Sequence, residues 1–472
     1  MTLSRKYFGD KAFYKKVLAI SVPIIIQNGI TNLVGMLDNV MIGSINTEAM
    51  SGVSIVNQLI FIFAMVIFGA GAAVGIFTSQ YHGANDTEGV THTFRIKAYI
   101  NLAIAALTIL ILAIFGKEAI SLFLHSGSKE GDLQLTLSYG LDYLSVMLIG
   151  IVPYALSQVY ASTLRETEEA NVPMYSGIIA IAVNCCLNFV LIFGLLGFPK
   201  LGVVGAAIAT VISRFAELLY LVLRVHLNPK RFTFIKGAFR SFKVPASLVR
   251  GVISKGFPLL FNELIWSLAM TVRTHCISME GLDAVAALNI QTTMYNVLNI
   301  AYAALGNSIA IMVGNLLGAG KLDDAKDSDR KLLVFSVLAG AAMGLLQLGS
   351  APFFPMLYNT TDAVRSLATY MMIISAISMP MNALAISTYY TIRSGGLALV
   401  TLLFDCAYTW AFTVSAGLIL AYFTDVGIYV LFAVVTFIEC AKCFLGLLLV
   451  CKVRWARKLT KSAPPKLAEL SE

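Results

Sequence analysis

Ionisable side chains inside long apolar segments are where this sequence has chemistry to offer, because a charge at membrane depth is costly and is kept for a pathway or a partner. Glu263 lies near the middle of an apolar block over 251–277, with Asn262 beside it and Trp266 one helical turn on. A carboxylate there could answer to a proton, a sodium ion or a cationic substrate, or it could be a structural acid hydrogen-bonded to neighbouring helices. Asp38 lies in the outer third of the first block, after Asn28 and Asn32. It reads either as an interfacial residue at a helix end or as a coupling-ion site shared with Asn184, Asn188 and Thr210. Their amide and hydroxyl oxygens are hard ligands that suit an alkali cation and could equally tune a proton site.

Asp405, followed by Trp410, is a further acid within a block. Arg214 with Glu217 and Glu439 with Lys442 are spaced i,i+3 and read as structural pairs that neutralise each other on one helix. Asn289, Gln291, Asn296 and Asn299, with Tyr295, form a polar stripe suited to lining a cleft. Asn28, Asn262, Trp266, Gln291, Tyr295 and Asp405 are therefore the expected substrate-facing residues.

Other chemistry is poorly supplied. The seven cysteines read as small core residues, and the Cys440-x-x-Cys443 spacing lacks a second pair or nearby histidines. His82, His92, His125, His226 and His275 are scattered and make no acid/base, metal or nucleophile constellation. The expectation is a protein that is not an enzyme and takes no cofactor beyond a coupling ion, with no metal other than a sodium ion at Asp38 or Glu263.

The elements that must position these residues follow from composition. Of 472 residues, 58% are apolar and 13% charged. Soluble surfaces need about 25–35% charged residues, which excludes an ordinary soluble protein. Apolar blocks lie near 17–42, 51–79, 98–115, 134–160, 174–198 and 201–225, and near 251–277, 285–318, 332–352, 366–392, 397–423 and 426–451. A helical crossing takes about 20 apolar residues, so twelve transmembrane helices are predicted, and the unalternating runs argue against a barrel. The fold class is all-α integral membrane.

Of 34 Lys and Arg, only Lys117, Lys129, Lys200 and Arg365 fall in the loops of one side, and Arg214, Arg273 and Lys442 fall inside spans. All others lie on the opposite side, which predicts both termini in the cytoplasm of a multi-pass protein of the cell membrane. The net charge of +8 is then topological, with the lipid bilayer as partner and no nucleic acid.

The longest polar break, from Arg224 to Lys255, divides the chain into two sets of six spans. A shift of 235 residues lays Pro23 on Pro258, Gln27 on Asn262, Asn28 on Glu263, Gly71 on Gly306 and Gly83-Ala84 on Gly318-Ala319. We read this as a repeat. The expected organisation is an N-terminal six-helix bundle over 1–228, a basic cytoplasmic linker over 229–250, a C-terminal six-helix bundle over 251–452 and a cytoplasmic tail over 453–472. Six spans per repeat make the pseudo-two-fold run along the membrane normal, with a central cleft and alternating access. Pro23, Pro153, Pro258 and Pro380 each remove a backbone hydrogen bond and bend a helix.

Several segments resemble the multidrug and toxic compound extrusion (MATE) transporters. They are Leu37-Asp38-Asn39-Val40-Met41-Ile42-Gly43, Val183-Asn184-Cys185-Cys186-Leu187-Asn188, the run from Leu201 to Thr210, and Lys255-Gly256-Phe257-Pro258 leading to Glu263. The resemblance implies a secondary antiporter, acting as a monomer, that expels amphipathic and often cationic compounds in exchange for sodium or protons. It implies Asp38 as the coupling carboxylate of the first half, assisted by Asn184, Asn188 and Thr210, and Glu263 as that of the second. The sequence departs from some members, which carry a carboxylate where Asn188 stands. It departs from others with an Asp in span 10, where Ser375, Ser378 and Asn382 are what this chain offers. A flippase or exporter for a lipid-linked or specific metabolite is the alternative, though an anionic headgroup would call for more basic residues than Arg214 and Arg273.

Overall fold

A computed structural model describes residues 7–43, 45–122, 133–241, 243–358 and 360–460, with all their side chains except those of 33–37, 39, 40 and 47. His125, Lys129 and the tail from 461 onward lie outside the described residues, as do the side chains of Asn39 and Val40.

The described chain is helical and contains twelve long helices. They are α1 (Lys11–Gly43), α2 (Thr47–Gly83), α3 (Thr87–Ser121), α4 (Leu133–Glu166), α5 (Asn171–Phe193) and α6 (Gly202–His226). Then follow α7 (Ala246–Ser278), α8 (Leu282–Gly318), α9 (Leu322–Ser350), α10 (Asp362–Ser394), α11 (Ala398–Phe423) and α12 (Ile428–Lys452). Ten of these are long and apolar enough to cross a membrane. In α7 the run is diluted by Lys255, Asn262, Glu263 and Arg273, the polar residues that give that helix its chemistry.

Local signals set the ends. Asn46 accepts the Ala49 N–H at 2.7 Å and opens α2, and Thr361 accepts the Val364 N–H and opens α10. Gly194 closes α5 in the left-handed region at φ 72°, where a Cβ would be strained. Apolar side chains that would be a liability in water, among them Leu107, Leu110, Ile111 and Ile114 of α3, face outward, as lipid requires.

The chain forms two compact units. One holds the residues up to Ile25, Ser79–Asp86 and everything from Arg250 onward; the other holds Ile26–Thr78 and Thr87–Val249. This corrects the contiguous division at 228. Val17, Ile20 and Ile24 of α1 pack with Leu305, Ile309 and Met312 of α8, Leu332 of α9 and Trp455, so the first half of α1 belongs to the C-terminal core. The second unit has its own core, in which Ile42, Val53, Leu112, Tyr143, Met147, Ile192 and Val211 meet.

The end of α2 carries direct evidence of the repeat. A Cβ on Gly83 would run into the Asn315 backbone, and a Cβ on Gly318 would run into the Gln80 backbone. Gln80 and Asn315 are 235 residues apart, as are Gly83 and Gly318. The two helix ends therefore cross reciprocally, each glycine admitting the main chain that its counterpart's neighbour supplies.

The linker and the first residues of the tail are built into the fold. The linker packs on α3, where Arg95 donates to the carbonyls of Gly237 (2.7 Å), Ala238 (2.8 Å) and Lys243 (3.1 Å), and Phe234 is buried. The first residues after α12 form a strap rather than a free tail. Trp455 is buried, and Gln80 of α2 bonds the strap twice, donating to the Arg457 carbonyl at 3.2 Å and accepting from the Leu459 N–H at 2.7 Å.

Candidate functional site

The second unit places Asp38 where α1 meets α5. The Asn188 amide donates to Asp38 Oδ1 at 2.5 Å and to Asn184 Oδ1 at 3.1 Å, and the Asn184 amide donates to Thr210 Oγ1 at 3.2 Å. Asn184 and Asn188 are one turn apart on α5 and both buried, so the helix period points them at α1 and α6 together. All four residues named from the sequence are brought into one chain of hydrogen bonds. Asn188 Oδ1 is buried without a hydrogen-bond partner, a spare hard oxygen on the same amide group whose nitrogen holds the carboxylate. Arg214, on the next turn of α6 after Thr210, acts on Asp38 electrostatically while pairing with Glu217 at 3.4 Å and standing 4.8 Å from the Tyr154 ring centroid. Among the described residues, no three His, Cys, Asp or Glu side chains are grouped to hold a metal ion. A cation at Asp38 would be held by one carboxylate and neutral oxygens.

The first unit contains a larger network. Glu263 Oε1 accepts from the Tyr389 hydroxyl at 3.2 Å and stands 3.9 Å from Arg393 Nη1. Asn262 donates to the same tyrosine oxygen at 3.4 Å and to Asp405 Oδ2 at 3.0 Å, while its Oδ1 accepts from Cys406. Lys442 then bridges Asp405 Oδ1 at 2.9 Å and Glu439 Oε1 at 2.5 Å, and Thr413 donates to Glu439 at 2.7 Å. Three carboxylates from α7, α11 and α12 are thus linked through one phenol, one amide and one ammonium, with the Arg393 guanidinium facing Glu263 alone. Arg273 adds a third cation nearby, donating to Thr436 one turn before Glu439.

The local backbone of α11 explains how Asp405 reaches this network. Leu403–Ala407 and Thr409–Val414 are wound as π-helix, whose wider turn re-aims side chains and marks functional positions in helices. Trp410 fixes the widened turn to α7 by donating to the Ile265 carbonyl at 3.1 Å.

Glu263 lies midway along α7 and meets Tyr389 and Arg393 near the end of α10, while Lys255 two turns earlier reaches the Gly396 carbonyl at 3.1 Å. Several expectations need correcting. Glu439 and Lys442 are not a self-contained pair, because Lys442 also serves Asp405. Gln291 is buried in a separate structural knot in which it and Gln347 both donate to Ser375. Tyr295 accepts from Tyr302 at 2.9 Å. Asn28 and Trp266 are exposed, which a place lining a cleft allows, and the Trp266 backbone hydrogen-bonds with Cys406 of the network. Arg95, Lys97 and Arg393, counted from the sequence as loop charges, are buried; Lys97 pairs with Glu166.

Tyr389 and Arg393 were missed. They are spaced i,i+4 and share a face of α10, which was visible, but the Ser394-Gly395-Gly396 that follows reads as a loop and drew the arginine with it.

The family model described as MatE matches residues 23–190 and again 258–423. The chain belongs to the MatE family. The two matches begin 235 residues apart, at Pro23 and Pro258, which independently fixes the repeat. This MATE chain is 25% identical over 415 residues to the probable multidrug resistance protein YoeA of Bacillus subtilis, covering 86% of this chain and 87% of that one. It is 26% identical over 340 residues to the probable multidrug resistance protein NorM of Thermotoga maritima, covering 70% and 69%. Its fold matches a solved structure described as the outward-facing conformation of a multidrug resistance MATE family transporter of the MOP superfamily, with a TM-score of 0.82, 17% identity and 96% and 97% of the two chains covered. It is a multi-pass membrane transporter of the MATE fold.

Proposed function

We propose that this transporter is a secondary active antiporter that exports amphipathic, cationic small molecules in exchange for sodium or protons by alternating access. It would act as a monomer in the cell membrane with both termini cytoplasmic. The observation that carries the reading is the Asp38 cluster: a carboxylate on α1 held by Asn188, with Asn184 and Thr210 behind it and an unpartnered Asn188 oxygen beside it. A carboxylate surrounded mainly by neutral oxygens lets the net charge of the site change when a proton or an alkali ion arrives, which is what coupling needs. The relatives' names as multidrug resistance proteins support the export of foreign compounds. In the other unit Lys442 and Arg393 are already matched to carboxylates, which weighs against an anionic lipid headgroup as cargo.

The test is efflux of ethidium from proteoliposomes under a sodium gradient and a proton gradient imposed separately. Efflux driven by one of them supports antiport and names the ion. Efflux driven by neither refutes the reading.

A further inference from the structure

The Glu263 carboxylate already has a cation beside it. Arg393 brings Nη1 to 3.9 Å from Glu263 Oε1, with its side chain 5% exposed against 22% for the glutamate. Charge-assisted hydrogen bonds of this type close to about 2.7–2.9 Å, so the pair is Coulombic and not locked. Nη1 makes no hydrogen bond at all. The guanidinium is seated between rings, 5.8 Å from the Tyr389 centroid and 5.5 Å from that of Tyr390. Tyr389 meanwhile donates to the very oxygen that Arg393 faces. The other acids of the network have a partner of their own in Lys442, which leaves Arg393 as the cation matched to Glu263.

We propose that Arg393 is a tethered counter-cation that neutralises Glu263 from its tyrosine seat when the site is empty and yields the carboxylate when a transported cation arrives. A tethered ion competes as if at millimolar concentration and pays no association entropy, so it sets a threshold that an incoming ion must pass. Small, strongly hydrated ions lose that competition, because they must shed water to match what the guanidinium offers. Large, weakly hydrated organic cations win it, since their apolar bulk adds affinity that sodium lacks. Arg393 is thus a specificity-determining residue that reserves Glu263 for organic cations. This rests on the reading of the chain as an exporter of such compounds.

The test uses the full-length protein in detergent, with equilibrium binding of radiolabelled tetraphenylphosphonium and sodium chloride as competitor. Arg393→Gln is expected to bind the probe about tenfold tighter than wild type, the scale of one close charge pair, and to become sensitive to sodium at concentrations wild type ignores. The double variant Glu263→Gln/Arg393→Gln is expected to lose the gain. Unchanged or weaker binding by a folded Arg393→Gln overturns the proposal, as does a gain that survives in the double variant. Should Arg393→Gln not fold, Arg393→Lys serves, since an ammonium loses the planar fit to the rings; it is expected to bind a few-fold tighter, and unchanged binding overturns the proposal. Binding by wild type with a flat response to these variants sinks the counter-cation alone, whereas no binding by any variant sinks the organic-cation reading with it.

Discussion

Replacing Lys442 by methionine keeps the length of the side chain and removes the one cation that Asp405 and Glu439 share. Its nitrogen is 2.9 Å from one carboxylate and 2.5 Å from the other, and the three side chains are 9%, 14% and 12% exposed. At an effective dielectric near 20, each pair attracts by about 6 kcal/mol, most of which was spent on desolvating the ions. The loss on deletion is therefore not the sum of the attractions but the penalty of two stranded carboxylates. That penalty has a ceiling, because a carboxyl of ordinary acidity can be protonated at pH 7 for about 4 kcal/mol. We expect a destabilisation of about 3–5 kcal/mol at pH 7.5. It should shrink as pH falls, by about 1.4 kcal/mol per unit for each acid that escapes by protonation. Unfolding by SDS titration in mixed micelles, followed by helical circular dichroism at pH 7.5 and 5.5, measures both quantities. The triple variant Asp405→Asn/Glu439→Gln/Lys442→Met should recover most of the loss. A Lys442→Met protein within about 1 kcal/mol of wild type at pH 7.5, or a deficit that is the same at pH 5.5, would refute this account of the network.

Three further outcomes are expected. Asp38→Asn should abolish the response of efflux to whichever ion gradient drives it while leaving the elution profile and unfolding midpoint of the purified protein unchanged; gradient-driven efflux at the wild-type rate would count against the Asp38 cluster as the coupling site. Gly318→Ala should cost about 1–3 kcal/mol in the same SDS titration, because the obstacle its Cβ meets is main chain and cannot rotate away. Arg95→Met should free the 236–243 segment by removing a donor to three carbonyls, so that limited trypsin cleavage at Lys236, Arg240 or Lys243 accelerates at least about tenfold; equal rates would show that the buried Phe234 holds the segment without it.

The helices and the repeat were legible because they depend on properties that a single strand of sequence carries. Long apolar runs can be counted, and a shift of 235 aligns prolines and glycines without any knowledge of packing. The Asp38 cluster was legible for a similar reason, since Asn184 and Asn188 differ by one helical turn and announce a shared face. What stayed hidden depends on which helix lies beside which. Arg393 looks like a topological charge at a span end until α7 is known to bring Glu263 within 3.9 Å of it. Lys442 looks satisfied by Glu439 until the π-turns of α11 deliver Asp405. The strap hid behind its basic composition, although a tryptophan at 455 among lysines and arginines was a sign that something there is buried. The assignment of the first part of α1 to the unit that holds the C-terminal half has no local signal, because Val17 and Ile20 are equally apolar whichever core receives them.

The crossing of α2 and α8 has the form of an isologous interface. In a two-fold homodimer, residue i of one copy meets j of the other, and j meets i in return. Here position 83 meets position 315 and position 80 meets position 318, which is that relation once 235 is subtracted from the second member of each pair. The chain holds, inside a single polypeptide, the contact that two copies of one half would make about their axis. Positions elsewhere in the halves are free to drift apart because their surroundings differ, as Asn28 and Glu263 have done. At the axis the two copies are each other's surroundings, and there the chain still has glycine at both 83 and 318, with the related amides Gln80 and Asn315 facing them.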